Sequence, residues 1–100
     1  MADLLDEGAL HAALADLAGW HGDRSEIRRS VTVRSADQPA LLEELERVAR
    51  EMDHDPELDI SGDEVMITMS THSAGGVTNL DVEYAKRVSA LLSEASTEGN

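Results

Sequence analysis

Two short segments carry most of the residues that could do chemistry. The first is Asp53, His54, Asp55 and Pro56. The second runs Ser70, Thr71, His72, Ser73, Ala74, Gly75, Gly76, Val77, Thr78, Asn79, Leu80 and Asp81. Histidine gains and loses a proton near neutral pH, so His54 and His72 are candidates for general acid and general base. Asp55 lies beside His54 in sequence, and an anionic neighbour strengthens an imidazole's hold on its proton. Asp55 is therefore a candidate to orient an imidazole or keep one charged. Each histidine also has a plainer reading. His54 would satisfy carbonyls at a helix end, and His72 would be a solvated residue at a strand end. Asp53, His54, Asp55 and His72 form a poor metal set. Three of them are consecutive, and neighbouring side chains rarely converge on one ion. No metal is expected.

The rest of the chain must position these groups. The 100 residues suit one domain, expected over residues 1–95, with 96–100 as a flexible tail. The pattern reads helix, two strands, helix, two strands, helix. A first helix is expected from about Asp3 to Leu17, with Leu10, Leu14 and Leu17 at helical spacing. Gly19 and Gly22 flank Trp20 and break it. From Ile27 to Val33 the residues alternate. Ile27, Arg29, Val31 and Val33 share one face, and Arg28, Ser30 and Thr32 share the other. A second helix begins near Asp37 with Pro39 in its first turn. Leu41, Leu42, Leu45, Val48, Ala49 and Met52 form its apolar stripe. Pro56 disfavours helical angles at Asp55, so this helix ends there.

Leu58 to Ile60 reads as a short strand, and Glu64 to Thr71 as a longer one. Val65, Ile67 and Met69 point one way along it; Met66, Thr68, Ser70 and His72 point the other. A third helix starts at Thr78, which with Asp81 has the spacing of a capping box. That mechanism makes Asp81 a helix cap before anything else. The fold class is α+β: two layers, a four-stranded antiparallel sheet with three helices on one face, in the order α-β-β-α-β-β-α.

Composition excludes several functions. The net charge is −13, which repels nucleic-acid backbones and anionic membranes. No cysteine is present, so disulfides, thiolate metal sites and cysteine nucleophiles are ruled out. The N-terminus lacks a basic start and a long apolar run. A cytoplasmic chain with no nucleic-acid or membrane partner is expected.

The ordered set of motifs resembles the pterin-4a-carbinolamine dehydratase family. That family has a helix ending in His-His-Pro or His-Asn-Pro and an aromatic on the next strand. A strand end of Ser/Thr-Thr-His follows, then a glycine-containing loop and an aspartate opening the last helix. His54, Pro56, Ser70-Thr71-His72 and Asp81 fall at the family spacings, and Gly19-Trp20 with Ile27 and Arg29 resembles the N-terminal hairpin. The chain departs at three positions. Asp55 replaces the second histidine, Arg50 stands where a titratable group is usual, and Gly62 replaces the aromatic.

The resemblance implies dehydration of a 4a-hydroxytetrahydropterin to a quinonoid dihydropterin, a step in pterin recycling. His54 and His72 would be its acid and base in either order. The backbone of Ser70, Thr71 and His72 would take the pterin edge, with Pro56 and Asp81 beside the substrate. No cofactor is implied. The resemblance also implies a homodimer or homotetramer. Its second implication is a catalytically weak or inactive member acting as a protein-binding, dimerisation or assembly module, because family members include a dimerisation cofactor of a homeodomain transcription factor.

Overall fold

The computed structural model describes the backbone of residues 3–98 and side chains as far as Leu92. In chain order the elements are α1 (Glu7–Ala15), β1 (His21–Gly22), β2 (Ile27–Thr32), α2 (Gln38–Met52), β3 (Glu57–Ser61), β4 (Glu64–Met69) and α3 (Asn79–Glu98). One 3-10 turn, His72–Ala74, separates β4 from α3. The four strands form one antiparallel sheet in the order β1-β2-β4-β3. This is the α+β order expected from the sequence.

Register explains which face is buried. Ile27 pairs with Met69, Arg29 with Ile67 and Val31 with Val65, so the apolar positions of β2 and β4 share a face. Ile27, Val65, Ile67 and Met69 are fully buried there. They pack with Leu45, Val48 and Ala49 of α2 and with Val82, Tyr84, Ala85 and Val88 of α3. Each such aliphatic side chain contributes about 1.5–3 kcal/mol when fully buried. Two aromatics complete the core, each with its polar atom partnered as burial demands. Tyr84 donates its hydroxyl to the Leu45 carbonyl at 2.9 Å, and Trp20 donates Nε1–H to Ser89 Oγ at 3.1 Å. Arg29, on the inward face, reaches the same Ser89 Oγ at 3.5 Å.

Several boundaries differ from the sequence reading. The first helix starts at Glu7 because the Asp6 carboxylate accepts from the Ala9 N–H at 2.7 Å and caps it there. Residues Leu4 and Leu5 lie outside the helix. Leu4 bridges to Thr78, and the Leu5 N–H donates to the Val77 carbonyl. The fourth strand stops at Met69; Thr71 bridges to Gly76 instead. The backbone of α3 continues to Glu98, and Gly99 and Asn100 of the expected tail lie outside the described residues.

Burial also makes Tyr84 a spectroscopic probe. Loss of solvent raises its hydroxyl well above the ordinary tyrosine value, and the negative charge of Asp55 adds to the effect. Unfolded, the side chain loses its proton near pH ~10. Above that pH the unfolded chain binds fewer protons than the folded one, so stability falls as pH rises. Tyr84 is the sole tyrosine. Its ultraviolet tyrosinate signal should therefore appear together with alkaline unfolding, and Tyr84→Phe should flatten this pH dependence. Titration near pH ~10 in a chain still folded by circular dichroism would contradict this burial.

Candidate functional site

The end of α2 presents the first histidine. The helix stops because Asp53 takes a left-handed conformation, φ 52 and ψ 48. The His54 N–H then closes back onto the Ala49 carbonyl at 3.0 Å. This is a Schellman-type ending that turns the chain sharply. The stop comes from Asp53, two residues before the one that Pro56 restricts. Aspartate tolerates this conformation better than most side chains, and glycine better still. Asp53→Gly should hold or raise stability, and Asp53→Val should lower it by about 1–2 kcal/mol. Thermal melts check both. Equal melting temperatures for the two variants would contradict a left-handed stop.

Beyond that turn the imidazole is largely enclosed, its side chain 12% exposed. His54 Nε2 lies 2.6 Å from Asp81 Oδ1. Asp81 is fully buried, in the first turn of α3, where the helix dipole favours negative charge. Its other oxygen, Oδ2, accepts from the Thr78 N–H at 2.9 Å and the Thr71 hydroxyl at 2.8 Å. Thr78 Oγ1 accepts in turn from the Leu80 N–H at 3.2 Å. Asp81 thus makes the bond to the Thr78 N–H that the capping-box spacing predicts, while Thr78 Oγ1 takes the Leu80 N–H in place of that of Asp81. The same carboxylate ties the end of α2 to the turn after β4.

His72 opens that turn, directly after Thr71, and is exposed. Among the described residues its side chain has no hydrogen-bond partner. Arg24 holds the turn from outside: its carbonyl accepts from the Val77 N–H at 2.8 Å, while its Nε donates to the Leu5 carbonyl at 3.1 Å. A cleft of about 350 Å³ opens beside the His54 segment. It is lined by Glu46, Ala49, Arg50, Asp55, Pro56 and Leu58.

Several expected roles change with this geometry. The carboxylate bonded to His54 is Asp81, not Asp55, which is exposed at the cleft wall. Asp81 has no accessible surface, so it cannot lie against a substrate. The Thr71 main chain is already used. Its N–H donates to the Gly76 carbonyl, and its carbonyl accepts from Ala74, Gly75 and Gly76. Of the three-residue strand end, only Ser70 and the His72 N–H remain for a planar ligand edge. Pro56 does line the cleft. Among the described residues, no cluster of three or more histidine, cysteine or acidic side chains is suited to a metal ion.

Sequence reasoning missed the His54–Asp81 bond. The Thr78–Asp81 spacing accounts for the bond from the Thr78 N–H and gives no sign of what else the carboxylate meets.

The chain and its fold match a known group. The family model for pterin 4 alpha carbinolamine dehydratase matches residues 3–91. The chain belongs to that family. A Nocardia farcinica protein, provisionally named pterin-4-alpha-carbinolamine dehydratase, is 37% identical over 92 residues, covering 89% of this chain and 95% of its own. A Sulfolobus acidocaldarius protein with the same provisional name is 30% identical over 88 residues, covering 87% of this chain and 97% of its own. Among solved structures, a transcriptional coactivator/pterin dehydratase from Brucella melitensis superimposes with a TM-score of 0.82. It is 30% identical, covering 88% of this chain and 97% of its own.

Proposed function

We propose that this chain dehydrates a 4a-hydroxytetrahydropterin by histidine acid–base catalysis. One histidine donates a proton to the 4a-hydroxyl, the C–O bond breaks and water leaves. The other takes the proton from the adjacent ring nitrogen as the C=N bond of the quinonoid product forms. The step is redox-neutral, and proton transfer alone suffices for it.

The observation that carries this reading is the His54–Asp81 bond in a chain of this family. A buried carboxylate on one ring nitrogen fixes an imidazole's orientation. His72 is the second group; it follows Thr71 in the chain, whose hydroxyl bonds the same carboxylate. Asp81 is a positioning residue in this scheme. Asp55 and Pro56, beside His54 in the chain, and Ser70 with the His72 N–H would meet the pterin.

A ligand that binds only the folded chain must raise its melting temperature. A dihydropterin should do so here, with NMR shifts concentrated at His54, Pro56 and His72. Binding that spares these residues, or no stabilisation at saturating ligand, argues against a pterin site.

A second reading has one support, the coactivator function in the name of the Brucella neighbour. It makes the chain a protein-binding module in a homodimer or homotetramer. Sedimentation at several protein concentrations tests the assembly. Among the described residues no helix is long and apolar enough to cross a membrane.

A further inference from the structure

The buried hydroxyls around Asp81 carry more than a structural role, because their protons can be counted. Thr71 Oγ1 has one proton, and it goes to Asp81 Oδ2 at 2.8 Å. Thr71 Oγ1 also lies 2.8 Å from Thr78 Oγ1, so the proton in that bond must come from Thr78. Thr78 Oγ1 can spare it, since it accepts from the Leu80 N–H. The chain therefore runs one way: Thr78 hydroxyl to Thr71 hydroxyl to Asp81. With the Thr78 N–H, Oδ2 receives two donated hydrogen bonds. As a carboxylate, Asp81 can only accept. Oδ1 must then accept from His54 Nε2, 2.6 Å away.

We infer that the one-way chain Thr78–Thr71–Asp81 locks neutral His54 as the Nε2–H tautomer, so that Nδ1 is the nitrogen that takes and returns the catalytic proton. Thr71, Thr78 and Asp81 are positioning residues acting through His54. None of them touches substrate. The tautomer follows from the hydrogen bonds alone, and only its effect on rate rests on the dehydratase reading.

Asparagine at position 81 should reverse the arrangement. Its carbonyl can stay on the Thr78 N–H and the Thr71 hydroxyl. Its amide then faces His54 and donates, which forces the proton onto Nδ1. The fold keeps its cap while the working nitrogen is occupied.

Long-range ¹H–¹⁵N NMR of protein labelled at histidine tests this directly, with the His54 signals assigned by their loss in His54→Gln. In the unmodified chain above the imidazole titration, His54 should show a protonated Nε2 and an unprotonated Nδ1. Asp81→Asn should exchange the two signatures and lower turnover about 10²–10⁴-fold. Thr71→Val should loosen the lock, seen as faster exchange of the Nε2 proton, and Thr71→Ser should restore it. A protonated Nδ1 or a tautomer mixture in the unmodified chain overturns the inference, even if both variants fail to fold. So does an Asp81→Asn chain that folds and keeps the Nε2–H signature. A locked Nε2–H tautomer in a chain without turnover supports the inference and removes only the dehydratase reading.

Discussion

His54→Ala should lower turnover of a 4a-carbinolamine by about 10²–10⁴-fold, the usual contribution of a positioned acid or base. His72→Ala should do the same, because one step needs both a proton donor and a proton acceptor. The double variant should lose much less than the product of the single losses, since removing either partner already disables the shared step. Stability must be separated from chemistry at His54. Alanine there leaves the buried Asp81 oxygen without its partner, which costs about 1–3 kcal/mol. His54→Gln can still donate an amide proton to Asp81 but cannot titrate near neutrality. It should keep the fold and lose the activity. His72 is exposed and unpartnered among the described side chains, so His72→Ala should melt as the unmodified chain does. If His54→Gln stays folded and retains activity within roughly tenfold, the imidazole is not the catalytic group.

Gly76→Ala should be the most disruptive single-methyl change near the site. A Cβ at Gly76 would stand 2.3 Å from the Arg24 carbonyl oxygen and 2.9 Å from Leu4 Cδ2. The first contact is backbone. That carbonyl is also held in place by the Val77 N–H, so the clash cannot be relieved by rotating a side chain. Forcing an extra carbon into such a contact costs about 1–3 kcal/mol. For a domain of this size each kcal/mol lowers the melting temperature by about 4–8 °C. The damage should also reach the chemistry. Gly76 pairs with Thr71 through both of its backbone groups, and Thr71 holds Asp81. Gly75→Ala is the control. Its left-handed φ of 81° is strained for alanine, but nothing lies within 4 Å of the added carbon. The Gly76 variant should melt lower and lose more activity than the Gly75 variant. Equal behaviour would mean that the turn yields freely and does not fix the site.

The sheet and helices were legible because their signals are local and periodic. Ile27 and Val31 alternate in β2, Val65, Ile67 and Met69 alternate in β4, and all five pack on the helical face. The stripe of α2 recurs at helical spacing, and Leu45, Val48 and Ala49 are buried as that spacing requires. The exceptions were set by single hydrogen bonds. The sequence reading starts the first helix near Asp3, yet the Asp6 carboxylate caps the helix and Leu4 and Leu5 cross to Thr78 and Val77. Thr71 alternates like a strand residue, yet its backbone bonds Gly76.

The candidate site was legible in its residue types and only partly in its connections. His54 and Asp81 are 27 positions apart, and nothing in either segment announces the other. Asp55 looked like the partner because it is adjacent in sequence. The left-handed Asp53 and the bond from the His54 N–H to Ala49 turn the imidazole toward α3 instead.

Turnover itself is the decisive observation. A 4a-carbinolamine generated by an aromatic amino-acid hydroxylase disappears on its own, and its optical signal can be followed with and without this chain. Micromolar protein should make the decay clearly faster than the spontaneous rate, and His54→Gln should return it to that rate. Decay no faster than the spontaneous rate, with folded protein confirmed in the same sample, would contradict dehydration by these two histidines.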